Sequence, residues 1–317
     1  MVNNKNGEFL ETANFSGVEA TDWSWGALFF DADNDGLNDI YVCNGVNHDV
    51  TNLDFMDFFA NDIIQKMVLS GHKQSMDSVL VHIPINPVSN CAFQNKGNLR
   101  FAETAKDWGL AEPSFSNGAA YADLDNDGDL DLVVNNENQE AFVYRNTASQ
   151  RLGHHFLSVQ LKGNGANTFA IGSKIKVYKG SQVFYRELVP SRGFQSSIDY
   201  KQVIGLGQLS AVDSMVIIWP NQTFTKIDQP QLNKTHFVQQ SSAQGRFSYE
   251  AAPSSSALLA KVPSSFGKHM EDDYVDFYAE RNLPELLSRE GPHVAKGDVN
   301  GDGWEDLYIG GAKNQPG

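Results

Sequence analysis

The chain has 317 residues, 41% of them apolar and 20% charged, enough for two or three packed domains. No run of 18 or more apolar residues exists, which excludes a membrane-spanning helix, and the opening residues 1–5 lack the apolar h-region of a signal peptide. The net charge of -15 is local: residues 31–39 hold four acids, 123–131 five and 298–306 four, while the other 26 nearly cancel the 24 bases. With no basic stripe to offset that field, a nucleic-acid partner is not expected.

In chain order, residues 1–9 resemble the hairpin read below at 92–101, so the chain is expected to begin inside a blade. Residues 25–30 (WGALFF) read as a strand. The first acidic window follows: Asp31-Ala32-Asp33-Asn34-Asp35-Gly36-Leu37-Asn38-Asp39, then the apolar run Ile40-Tyr41-Val42. Residues 46–90 interrupt with apolar positions at three- and four-residue spacings through 53–59, 63–64 and 67–68, a helical insertion closed by Pro84 and Pro87. Cys43 and Cys91 flank it. They either pair across its base or remain two buried thiols. Residues 92–95 and 99–101 read as a hairpin around Lys96-Gly97-Asn98.

The second unit repeats the first. Residues 117–122 read as a strand, Asp123-Leu124-Asp125-Asn126-Asp127-Gly128-Asp129-Leu130-Asp131 as the loop, and Leu132-Val133-Val134 and 141–146 as further strands. Short strands recurring in this way suggest propeller blades. Residues 153–240 then change character: alternating strands at 156–161, 174–178 and 183–189, and a more continuous one from Val212 to Trp219, predict a separate all-β domain. Residues 241–266, rich in Ser, Ala, Pro and Gln, read as a linker. The third window, Asp298-Val299-Asn300-Gly301-Asp302-Gly303-Trp304-Glu305-Asp306, precedes the strand Leu307-Tyr308-Ile309, and residues 267–317 read as a resumed, truncated blade. A propeller must close to remove its edges, so the missing blades are expected from a longer protein or other chains.

The windows read as calcium loops, about three sites in all. Calcium takes six to eight oxygens in a flexible shell. In the first loop Asp31, Asp33 and Asp35 point inward, Gly36 permits the turn, Leu37 lends a carbonyl and Asp39 closes the shell. Asp123, Asp125, Asp127, Asp129 and Asp131 play the same parts in the second. Asp298, Asn300, Asp302, Trp304 and Asp306 do so in the third. An EF-hand would need Glu at position 12, where Val42, Val134 and Ile309 stand instead. Zinc lacks its Cys/His cluster, and magnesium demands stricter geometry. Against this stands the plain alternative of Asp/Asn/Gly turns.

Other candidates have bland readings beside them. The run His269-Met270-Glu271-Asp272-Asp273 with Asp276 is a metal or catalytic cluster, or a solvated face. Trp23, Trp25 and Trp108 form a sugar-stacking platform, or pack in the core. His154-His155 reads as a surface pair at a domain junction. No phosphate loop or nucleophile elbow is present.

At the second loop the chain resembles the FG-GAP/VCBS propeller repeats of integrin α-subunit heads and many bacterial surface proteins, through residues 115–120 and on to Asn135-Asn136. Residues 170–174 (AIGSK), 193–197 (GFQSS), 205–207 (GLG) and Trp219-Pro220 are similar to the ASPIC/UnbV domain. The order of domains resembles Bacteroidota surface proteins related to cartilage acidic protein. The resemblance implies an all-β fold: a partial propeller (1–152) interrupted by an ASPIC/UnbV domain (153–240). It also implies a calcium-stabilised, extracellular or outer-membrane-attached propeller, and implies little about its ligand; the leading expectation is a non-catalytic module that binds a glycan or protein. A polysaccharide-processing enzyme with its site on the top loops, and 46–90 as a lid, is the alternative.

Overall fold

A computed structural model describes residues 1–3, 7–49, 61–71, 83–249, 261, 263, 266–271, 273–283, 287–311 and 315–316. They are predominantly β and divide into two compact units, Met1–Glu250 and Ala251–Gly317. No described helix is long and apolar enough to cross a membrane.

The first unit opens with a short hairpin, Val2–Asn3 against Phe9–Leu10. A four-stranded antiparallel meander follows: Ser24–Phe30, Asp39–Asn44, Cys91–Asn95 and Phe101–Glu103. Asp39–Asn44 shows no polar alternation because both its faces are covered. Tyr41 and Cys43 join the core shared with the second sheet, whereas Ile40 and Val42 pack with Phe93 on the other side. The same alternation decides the cysteines. Cys91 pairs across the ladder with Val42 and packs on Val42's side, so it faces away from Cys43, and both are free.

The second sheet is a three-stranded meander of Ser116–Ala122, Asp131–Asn136 and Phe142–Tyr144. A buried polar seam ties the sheets: Asn44 N–H donates to Asn90 Oδ1 (2.8 Å), Asn90 Nδ2 to Ser116 Oγ (2.8 Å), and Ser116 Oγ to Asn136 Oδ1 (2.7 Å). Of the expected insertion, Asn61–Ser70 forms a helix and Val88–Ser89 a short strand against Pro113–Ser114; the apolar run at 53–59 lies outside the described residues.

From His155 the chain builds two further sheets. One orders Gln202–Gly207, His155–Lys162 and Thr235–Gln239, with the last pair parallel. The other orders Gln182–Glu187, Lys174–Lys179, Ser214–Ile218, Thr223–Asp228 and Gly245–Arg246. That last strand carries the sheet past residue 240, into the stretch expected to be linker. Leu157, Val159 and Ile204 from one sheet meet Ile175, Val177, Met215 and Ile217 from the other, closed by buried Trp219. Among the described residues of the second unit are a hairpin, Val294–Gly297 against Asp306–Ile309, and two short 3-10 turns. Among the described residues no sheet closes into a ring.

Candidate metal centre

Each acidic window joins an antiparallel pair in one register: Phe30 lies opposite Asp39, Ala122 opposite Asp131, and Gly297 opposite Asp306. Three local devices fold the nine residues the same way. Position 9 accepts the N–H of position 2: Ala32 to Asp39 (2.9 Å), Leu124 to Asp131 (2.9 Å), Val299 to Asp306 (3.0 Å). Position 6 is glycine at φ 94°, 92° and 88°, conformations that side chains resist. Position 4 is also left-handed, at Asn34 (57°), Asn126 (63°) and Gly301 (77°). Asn and Gly tolerate that region best, a signal that the sequence carries at position 4.

The loops diverge in what they bring together. In the first, carboxylate oxygens of Asp31, Asp33 and Asp39, all buried, lie within 4.8 Å of one another. Asp35 stands outside that group, its Oδ1 accepting the Leu37 N–H at 2.7 Å. In the second loop the group is Asp123, Asp125 and Asp127. Asp131 instead holds two backbone N–H groups, of Leu124 and Asn146 (2.8 Å). The Asp129 side chain turns out of the loop to Ser149, accepting its N–H at 3.0 Å and its hydroxyl at 2.9 Å, which leaves position 7 only its carbonyl to offer. The third loop is exposed and gathers no such group of carboxylates. Asp298 takes the N–H groups of Gly301 (2.7 Å) and Gly303 (2.8 Å), and Asn300 Oδ1 takes that of Asp302 (2.9 Å), so this loop is closed on its own backbone.

The buried carboxylates are under-compensated. Asp31 Oδ1 and Asp123 Oδ1 are buried without a hydrogen-bond partner. Burial pushes the Asp31 carboxyl up to about 7 against the pull of Arg186, and Asp39 up to about 8. Burial raises Asp35, Asp127 and Asp129 as well. An oxygen-only donor set with a buried carboxylate oxygen left unpartnered fits a hard divalent cation.

Partners distant in sequence complete the setting, and nothing local announced them. Arg186 Nη2 lies 3.3 Å from Asp31 Oδ2, Lys201 Nζ 3.0 Å from Asp123 Oδ2, and Arg145 Nη2 2.7 Å from Asp125 Oδ2. Asn34 Nδ2 bridges the loops, donating to the Gly128 carbonyl (3.0 Å) and Asp129 Oδ1 (2.7 Å). His154 Nδ1 lies 2.6 Å from the Asp33 carbonyl oxygen, which can only accept, so this nitrogen carries the proton. A cavity of about 370 Å³ lies beside both loops, lined by Asp33, Trp108, Tyr144, Arg145 and Arg151 among others.

The remaining candidates disperse. Trp25 is fastened to the Gly45 carbonyl (2.7 Å) and lies against Phe194, with ring centroids 5.0 Å apart, while Trp108 packs on the core between the sheets. His269 pairs with Glu271 at 2.7 Å, and Asp276 accepts the Ser288 N–H at 2.8 Å.

Fold and site together define a β-rich protein whose first two acidic hairpin loops are packed against a second β module. Residues 163–245 of that module match the family described as ASPIC and UnbV. No curated protein matches the chain.

Proposed function

We propose that this chain is a calcium-binding, extracellular or cell-surface module built from FG-GAP/VCBS-type propeller blades, and that it binds a glycan or protein partner without turning it over. The observation that carries the reading is the convergence of three carboxylates in each of the first two loops, each with one buried oxygen that has no partner. A buried carboxylate oxygen without a partner is costly even when its twin is paired, and a bound divalent ion removes that cost. Two consecutive meanders, each built on a strand–loop–strand unit, support the blade assignment, and the ASPIC/UnbV match supports an extracytoplasmic setting. The cavity beside the loops, with Trp108 and Tyr144 for stacking and Arg151 and Thr147 at its lining, is the ligand site of this reading.

Extracellular-type sites bind calcium with dissociation constants on the order of 0.1–1 mM. At ~1 mM calcium a site at the tight end contributes roughly 1.4 kcal/mol. Melting in 1 mM calcium is therefore expected several degrees above melting in excess chelator, and Asp33→Asn or Asp127→Ala each to remove one bound ion. Identical melts with and without the ion would sink the proposal. A glycan array on the native chain and on Trp108→Ala tests the cavity.

A further inference from the structure

We propose that Arg186 and Lys201, both within the ASPIC/UnbV-matched segment, are built-in competitor cations that set how tightly the first two acidic loops hold a divalent ion. The inference rests on the reading of those loops as ion sites.

The two arrangements repeat at position 1; the second loop also carries the more exposed Arg145 on Asp125 (2.7 Å) and Asp127 (3.7 Å). Arg186 and Lys201 each sit on the position-1 aspartate, and on the same oxygen, Oδ2: 3.3 Å for Arg186 on Asp31 and 3.0 Å for Lys201 on Asp123. Each is largely withdrawn from water, the side chains being 16% and 11% exposed. In each loop the other oxygen, Oδ1, is buried and unpartnered. The position-1 carboxylate is thus half occupied by a protein cation and half open. Lys201 holds its loop further, donating to the Asp123 carbonyl (3.0 Å) and Asn126 Oδ1 (2.9 Å). Among the described residues of the third loop, the one Lys contact is Lys296 on Glu305, at position 8, and no Lys or Arg reaches Asp298.

A cation on a ligand oxygen opposes an incoming ion twice: it satisfies part of the ligand's charge and repels the ion across a short, poorly hydrated distance. The coupling is reciprocal, so an ion that enters loosens the grip of Arg186 and Lys201 on the loops by the same factor. These loops are also packed tightly on the second module. A Cβ on Gly205 would meet Asp31 Oδ2 at 2.3 Å, and the Gly207 N–H donates to the Asn34 carbonyl at 2.8 Å. Ion loading is therefore set against module docking.

The test is calorimetric titration of the full chain with calcium chloride after chelator treatment. Arg186→Gln and Lys201→Gln should each tighten one site at least about tenfold, within the range usual for coupled sites. Arg186→Lys, which keeps the charge, and Lys226→Gln, whose partner Asp228 is an exposed acid elsewhere, should titrate like the parent. Unchanged or weaker binding in both Gln variants overturns the inference while leaving the ion sites standing. If the parent takes up no ion and the Gln variants do, the inference holds and the resident-calcium reading falls. If none binds, both fall. Should Arg186→Gln not fold, Lys201→Gln decides the matter alone.

Discussion

Replacing Gly128 by alanine probes the packing of an acidic loop on the neighbouring module directly. Gly128 has φ 92°, and a Cβ there would lie 2.0 Å from Phe156 Cε1 and 2.1 Å from Cζ. Phe156 is only 9% exposed and belongs to the core between the sheets, so it has little room to yield. Two costs add: about 1–2 kcal/mol for an L side chain in left-handed backbone, and about 1–3 kcal/mol for overpacking. The control is Gly172→Ala in the same unit, at φ 87° with nothing within 4 Å of the new Cβ, which bears the first cost alone. Gly36→Ala, at φ 94° with Phe184 Cε1 at 2.5 Å, should behave like Gly128→Ala. Urea melts in excess chelator, which removes any contribution from a bound ion, should place Gly128→Ala and Gly36→Ala at least about 1 kcal/mol below Gly172→Ala, a further drop in Tm of roughly 2–4 °C or more. Adding Phe156→Ala to Gly128→Ala should cost less than the sum of the two single changes. If all three glycine variants lose the same stability, the loop is not pressed against Phe156 and Phe184, and the docking argument fails.

Three further outcomes follow from the core. Burial pushes the Cys43 thiol up to about 12, so at pH 8 it is almost wholly protonated and iodoacetamide should not label it until denaturant is added; half-buried Cys91 should label first, and mass spectrometry assigns the sites. Mild oxidation of the folded chain should leave both thiols free, because they lie on opposite faces of one sheet. Trp219, 1% exposed, donates its indole N–H to Thr225 Oγ1 at 3.0 Å, so Thr225→Val should cost about 1–3 kcal/mol and Trp219→Ala about 3–5 kcal/mol in chemical denaturation.

Much of this arrangement could be read from residue order, because the loops and their strands are local. The D-x-[DN]-x-D-G-x-x-D spacing, with a β-branched or aromatic run after it, located all three loops and the strand that follows each. Val294–Gly297 was not anticipated as a strand, since V-A-K-G lacks the alternation that marks the other two. Gly245–Arg246 was hidden in a Ser/Gln-rich stretch because an edge strand of two residues has no period to detect. The cations were out of reach for a deeper reason. Arg186 lies 155 residues from Asp31 and Lys201 lies 78 from Asp123, and no local pattern encodes which surface lysine or arginine a fold will deliver to a given acid. The acidic windows announced a need for positive charge; only the packing of the second module discloses that part of it is met from within.

That distinction bears on position 9, where one residue is asked to do two things. Asp131 is 3% exposed, and each of its oxygens already accepts a backbone N–H, from Leu124 at 2.9 Å and Asn146 at 2.8 Å. It closes the hairpin whether or not an ion is bound. Asp131→Asn would turn an NH₂ group against one of those two N–H donors, leaving a buried donor unsatisfied at a cost of about 1–3 kcal/mol. The cost should appear in full in excess chelator. Asp306 holds a single described backbone donor, Val299, on the exposed third hairpin, and Asp306→Asn should cost well under that. If instead Asp131→Asn is neutral in chelator and harmful only when calcium is present, position 9 serves the ion alone, and the identical wrap of the three loops is a consequence of metal binding rather than its precondition.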